Sequence, residues 1–152
     1  MTKGQSESAW HALEDLMSTQ KFGVLATHDH GQPYTSLMAF ACSTDLVQLI
    51  FITPASSKKY ANLVSDPRAA MLIDSRSNTS MDIEKAMAAT ATGTVEMASG
   101  DSLITLKGIY LEKHPYLADF AASHSTRLIV LRVSRYFVVD QFQHVVEIDM
   151  TS

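Results

Sequence analysis

Apolar residues in this chain gather mostly in short, β-prone runs divided by turn-forming clusters. Phe22 to Thr27 reads as a strand, His28-Asp29-His30-Gly31-Gln32 as a turn, and Pro33 to Ala41 as the return strand of a hairpin. Ser43-Thr44-Asp45 turns again into a β-branched run from Val47 to Thr53, which makes a meander. Ala69 to Asp74, Ala89 to Met97, Thr126 to Val139 and Gln143 to Asp149 supply further strands, with Gly93 marking a bulge or bend. Helical spacing is rarer. Trp10, Leu13, Leu16 and Met17 define a first helix with Ser6 or Ser8 as N-cap. A short second helix, Lys58 to Val64, is capped by Ser56 or Ser57, faces inward through Tyr60, Leu63 and Val64, and stops at Asp66-Pro67. Leu103, Leu106, Ile109 and Tyr110 mark a third, ended by His114-Pro115, and Tyr116 to Ala122 a shorter fourth. Ser75 to Lys85 is polar and reads as a loop. Antiparallel strands with a few helices between them describe a β-rich α+β fold, an antiparallel barrel of six to seven strands with peripheral helices.

Length changes this picture little: 152 residues without repeat or linker imply one domain, 1–152. Charge narrows the partners. A net charge of −4 and a pI near 5.8 argue against nucleic acid or an anionic membrane surface, so a bound phosphate must be held by local groups. Cys42 is the single cysteine, which excludes an intrachain disulfide and a cysteine-based metal site. Its neighbours Phe40 and Ala41 favour a packed small hydrophobe over a reactive thiol. The polar first eight residues lack the apolar stretch of a signal peptide, and no run approaches a membrane span. A soluble cytoplasmic protein is expected.

The candidate chemistry lies in Thr53-Pro54-Ala55-Ser56-Ser57-Lys58-Lys59-Tyr60. It puts two lysines in the first turn of a helix, where the partial positive charge of the helix N-terminus costs about 0.3–1 kcal/mol per cation. A bound anion reverses that sign, because free N–H groups, hydroxyls and both ammonium groups then converge on one phosphate. The other reading is a solvated pair that tolerates the penalty. Arg76, in Asp74-Ser75-Arg76-Ser77-Asn78, stands just after a strand, either beside a phosphate or substrate or as an exposed loop arginine. The six histidines show no paired-ligand spacing, and no metal site is assigned; His28 and His30 read as solvated turn residues. No nucleophile elbow or phosphate-binding glycine loop is present, and no catalytic residue is named.

Phe51-Ile52-Thr53, Ser57-Lys58-Lys59, Asn62-Leu63 and Asp66-Pro67-Arg68 together resemble the phosphate-binding signature of the FMN-binding split β-barrel family that includes the pyridoxamine 5′-phosphate oxidases. Phe22 to Thr27 with Gly31 to Tyr34 is similar to that family's first hairpin, and the likeness runs over about residues 15–97. It implies a six- to seven-stranded antiparallel split β-barrel. It implies that Lys58 and Lys59 hold the FMN phosphate, with Thr53 and Ser57 bonding near it. The segment from Ser36 through Leu37 and Met38 to Ala41 would run along the flavin, its backbone reading the ring edge. Ser36 stands where the classical oxidases have arginine, and Ala41 where they have lysine.

The expectation is an FMN-dependent oxidoreductase acting on a small molecule, as a homodimer with flavin near the interface. The alternatives are a non-catalytic FMN or electron-transfer protein, a haem-binding relative using His124 or His144, and a barrel that has lost its cofactor. Leu128 to Val139, apolar on both faces, is the expected dimer surface. An authentic pyridoxamine-phosphate oxidase is not expected. The segment Phe142 to Asp149 carries no arginine or tryptophan of a substrate clamp; Arg127, Arg132 and Arg135 are the arginines left to substitute, and Arg132 and Arg135 differ in strand parity, which points them to opposite faces.

Overall fold

A computed structural model describes residues 3–140 and 143–151. Its elements are α1 (Lys3–Thr19), β1 (Phe22–Asp29), β2 (Gln32–Ala39), β3 (Ala41–Cys42), β4 (Gln48–Pro54), α2 (Lys58–Ser65), β5 (Arg68–Asp74), α3 (Asp82–Lys85), β6 (Ala88–Met97), α4 (Gly100–Lys113), a 3₁₀ turn (Pro115–Leu117), α5 (Ala118–Ala122), β7 (Thr126–Asp140) and β8 (His144–Asp149). The strands form one antiparallel sheet in the order β2-β1-β5-β6-β7-β4-β3, with β8 added to β7. The two ends of that order, β2 and β3, are consecutive in sequence and separated only by Phe40. The sheet therefore curls until its first and last segments are halves of one bent strand. This is a split barrel: the ladder closes at Ala41 and Cys42 against Ile50 and Leu49. Beyond that point the outer edge of β2 and the Phe51–Pro54 edge of β4 are not laddered together.

The bend at Phe40 is held by side chains. Its N–H donates to the Lys21 carbonyl. Its own carbonyl lies 2.7 Å from Nε2 of His114, a fully buried ring. Burial holds the His114 pKa below its usual value, so the neutral ring donates there and caps an otherwise orphaned acceptor. The Lys113 ammonium sits 4.0 Å from the Phe40 ring centroid and donates to the Met17 carbonyl, tying the last turn of α1 to the bend.

Two apolar clusters follow from the alternation. Leu25, Phe51, Met71, Ile129, Leu131 and Tyr136 fill the barrel, and Leu13, Leu16 and Met17 of α1 close over it. Ile50, Ile52, Leu128 and Val130 point the other way and pack beneath Leu106 and Tyr110 of α4 and Ala121 of α5. The apolar character of Leu128 to Leu131 on both faces is thus met within the chain, by the barrel interior and the α4–α5 layer.

At Gly93 the β6–β7 register shifts, with Thr92 opposite Arg135 and Gly93 opposite Val133, so Ser134 is the extra residue of a bulge. A Cβ on Gly93 would lie 2.0 Å from the Arg132 carbonyl oxygen, which only glycine avoids. The bulge resets the alternation of β7. Val133 and Tyr136 are both buried, while Arg132 and Arg135 are both exposed on the outer face. Their expected opposite orientation is therefore corrected: strand parity does not survive a bulge between them.

Other expectations need correction too. Ser6 and Ser8 lie inside α1, which begins at Lys3. Val64 is 63% exposed, and it is Asn62 that turns inward beside Leu63. The loop from Ser75 contains the single turn α3, made by Asp82 accepting from the N–H groups of Ser77 and Asn78. Phe142 lies outside the described residues. No described helix is long and apolar enough to cross a membrane.

Candidate functional site

The loop from Pro54 to Ser57 delivers α2 to one end of the barrel. Ser57 is the N-cap, its Oγ accepting from the Tyr60 N–H at 3.2 Å. Thr53 is fully buried and its hydroxyl lies 2.9 Å from Ser57 Oγ, so it orients Ser57 and does not reach out of the barrel. Asn62 donates to Thr27 Oγ1 at 3.0 Å in a buried contact that locks α2 onto β1. These bonds fix the helix start over the tip of the β1–β2 hairpin.

There the two lysines diverge in circumstance. Lys58 Nζ donates to Asp29 Oδ2 at 3.0 Å and lies 5.7 Å from the Tyr34 ring centroid. Lys58 is the largest cause that lowers the Asp29 pKa, with His30 bonded to the same carboxylate at 2.7 Å. Lys59 has no carboxylate partner among the described residues. The hairpin tip is held in turn: the Gly31 N–H donates to His28 Nδ1, and His28 Nε2 faces Asp66 at 2.9 Å, an ion-pair distance without hydrogen-bond alignment. Arg68 grips Asp66 and holds its carboxyl well below the usual range. His28 is therefore a fastening between the hairpin and the α2–β5 corner, and sequence alone read it as solvated.

The Ser36, Leu37 and Met38 segment lies on β2, whose outer edge is unladdered. Phe40 bonding to Lys21 sets the parity, so the N–H and C=O groups of Thr35, Leu37 and Ala39 point to that free edge. Pro33 has the same parity, as a residue without an N–H should. The side chains divide: Met38 is buried and Leu37 is 73% exposed. Only the backbone of this segment presents a continuous polar row.

Arg76 is elsewhere. It follows β5, whose Asp74 end runs beside the Phe22 end of β1, while Lys58 reaches Asp29 at the other end. Seven strand steps separate those ends, roughly 20 Å. Arg76 Nε is bonded to Asp74 Oδ1 at 3.0 Å. His144 pairs with Asp140, and His124 is exposed beside α5. Burial pushes the Cys42 thiol up to about 12, which keeps it protonated and unreactive. Among the described residues no three of His, Cys, Asp or Glu converge as metal ligands. Asp29 and His114 were missed in the sequence, and Asn62 was seen only as part of a motif, because polar residues at turns and helix ends carry no apolar period to betray their burial or pairing.

A bent strand closing an antiparallel barrel places the chain among the split-barrel proteins. The family model described as pyridoxamine 5′-phosphate oxidase matches residues 9–140, and the chain belongs to that family. No curated protein sequence matches it. Among solved structures it is similar to a haem-binding protein from Mycobacterium smegmatis, with TM-score 0.79 and 22% identity over 90% of this chain and 56% of that one. It is similar to HutZ, a haem storage protein of Vibrio cholerae, with TM-score 0.69 and 16% identity over 81% and 88%. A FAD-binding protein from Mesorhizobium loti gives TM-score 0.67 and 14% identity over 85% and 90%. The chain spans little more than half of the Mycobacterium protein. These likenesses show the fold.

Proposed function

We propose that the protein is an FMN-binding flavoprotein, an oxidoreductase that passes hydride or electrons between the flavin and a small molecule. The observation that carries the reading is Lys59, a cation in the first turn of α2 with no described acidic partner, beside an N-cap hydroxyl oriented by Thr53. A phosphate there converts an unfavourable charge placement into charge-assisted bonds. The unpaired backbone row of Thr35, Leu37 and Ala39 starts from the same hairpin and suits the polar edge of a planar ring. The residues present fit FMN, with Asp29 as an opposing charge that the phosphate must displace from Lys58. When bound, the flavin supplies the hydride and electron chemistry, and the chain supplies position and field. Non-catalytic electron transfer on the same site is the adjoining possibility.

The substrate is not pyridoxamine phosphate in this proposal. Of the three arginines of β7, Arg132 and Arg135 are engaged by Glu96 at 2.8 Å and Glu147 at 3.0 Å, and Arg127, at the start of the strand, is turned to the carbonyls of His124 and Thr126. Supplying pyridoxamine 5′-phosphate, FMN and oxygen should give no pyridoxal phosphate; turnover near one per second, within the usual enzyme range of about 1–10³ per second, would overturn this point.

The protein is proposed to act as a two-fold homodimer, on a surface other than the Leu128 segment. Leu37, Val24 and Leu72 stand in one register row on the outer face of β2, β1 and β5, with Phe22 exposed beside them. A haem reading draws support from the two haem-protein neighbours and from the exposed rings of His124 and His144. Absorption of the purified protein, titrated with FMN and separately with haemin, separates the readings: a bound-flavin spectrum supports the proposal, and a Soret band without flavin uptake replaces it.

A further inference from the structure

We propose that the cleft between α4, α5 and the outer face of β4 and β7 is a second ligand site, for a small apolar carboxylate. This inference is independent of the FMN reading, because the cleft lies on the other face of β4 from the barrel interior. The cavity measures about 370 Å³, within the range of about 300–1,000 Å³ typical of small-molecule pockets. It is the unfilled end of the outer cluster. Ile52, Leu128, Leu103 and Met97 supply its apolar wall, and Ala121, the buried residue of α5, leaves the volume that a larger side chain would occupy.

Its charged groups, Lys107 and Arg127, are of one sign. Lys107, His124 and Arg127 line the cavity, and no acidic residue does. The neighbouring hydroxyls are already committed: Thr126 donates to the carbonyls of Phe120 and Ser123, and Ser123 pairs with Ser125. Arg127 is fixed in place. Its Nη1 donates to the His124 and Thr126 carbonyls, both at 2.9 Å, which leaves Nε and Nη2 without partners among the described residues. Lys107 and the His124 ring have no described ion pair or hydrogen bond either. Two cations, Lys107 and Arg127, on the lining of a cleft with an apolar floor fit a carboxylate head on a hydrocarbon body. An alcohol of the same length satisfies the floor and leaves the cations unpaired. An amine meets like charge.

The experiment is calorimetric titration of the full chain, without added flavin, using octanoate, 1-octanol and octylamine. Octanoate should bind at least tenfold more tightly than octanol, and octylamine should not bind. Replacing Lys107→Met and Arg127→Gln together should erase the advantage of octanoate over octanol. Ala121→Leu should block octanoate while raising the melting temperature, which shows that the cavity was filled in a folded protein. Equal affinity for acid and alcohol, no octanoate binding to the wild-type chain, or binding untouched by Ala121→Leu would each overturn the proposal.

Discussion

The two ends of the barrel carry the same kind of residue and treat it differently. At one end Lys58 and Lys59 open a helix, and only Lys58 has a carboxylate, contributed by a hairpin 29 positions away in sequence. At the other, Arg76 is satisfied by Asp74, two residues before it on the same strand end. A cation neutralised by its own loop has little left to offer an anion. One set against a helix N-terminus with an exposed or absent partner is poised for one. The difference lies in what surrounds each charge, since residue type and position after a secondary element are alike.

The largest effect should come from removing the poised end. Lys58→Ala with Lys59→Ala should weaken FMN binding by about 3 kcal/mol or more, if each charged hydrogen bond contributes about 1.5–3. Fluorescence titration checks it, and unchanged affinity would sink the assignment. Next, Leu37→Asp tests whether a partner subunit alters the contrast by bringing opposite ends together. Burial of one leucine contributes about 1.5–3 kcal/mol, so dimerisation should weaken at least tenfold in sedimentation. A wild-type chain that stays monomeric at micromolar concentration with flavin bound would contradict the dimer.

Asp29→Asn sharpens the contrast by freeing Lys58. An exposed ion pair contributes about 0.2–1 kcal/mol, so FMN should bind up to about fivefold more tightly. Weaker binding would mean that Asp29 holds Lys58 in the productive position instead of competing for it. Arg76→Ala should change stability by less than about 0.5 kcal/mol and leave FMN affinity unmoved. A loss seen in wild-type background but absent with Leu37→Asp would show that the two ends meet across a two-fold axis.

Short β-prone runs between turn clusters, Phe22 to Thr27, Val47 to Thr53 and Thr126 to Val139, made the strands and barrel legible, because β-branched and aromatic residues bounded by turn formers are a local signal. A cap at Ser56 or Ser57, which the structure resolves to Ser57, and the stop at Asp66-Pro67 were also legible, since each is local chemistry. What was hidden depends on register. Gly93 announced the bulge or bend, but that Ser134 of β7 is the extra residue, which turns two arginines to one face, was not legible. The cover over Leu128 and Val130 required knowing that α4 and α5 return to that face. Within the candidate site, Lys58 and Lys59 were visible as a local charge conflict. Asp29 as the counter-charge of Lys58 emerged only from a pairing 29 positions apart, and Thr53 as a support for Ser57 emerged only from its burial in the fold.

The central claim is that the start of α2 holds the phosphate of FMN. Its most direct test compares FMN with riboflavin, which differs only in lacking that phosphate, by fluorescence titration of the wild-type chain and of the Lys58→Ala, Lys59→Ala variant. Two charge-assisted hydrogen bonds of about 1.5–3 kcal/mol each predict that wild type prefers FMN by at least a hundredfold, and that the variant binds both flavins alike. Equal affinity of the wild-type chain for FMN and riboflavin would contradict the account.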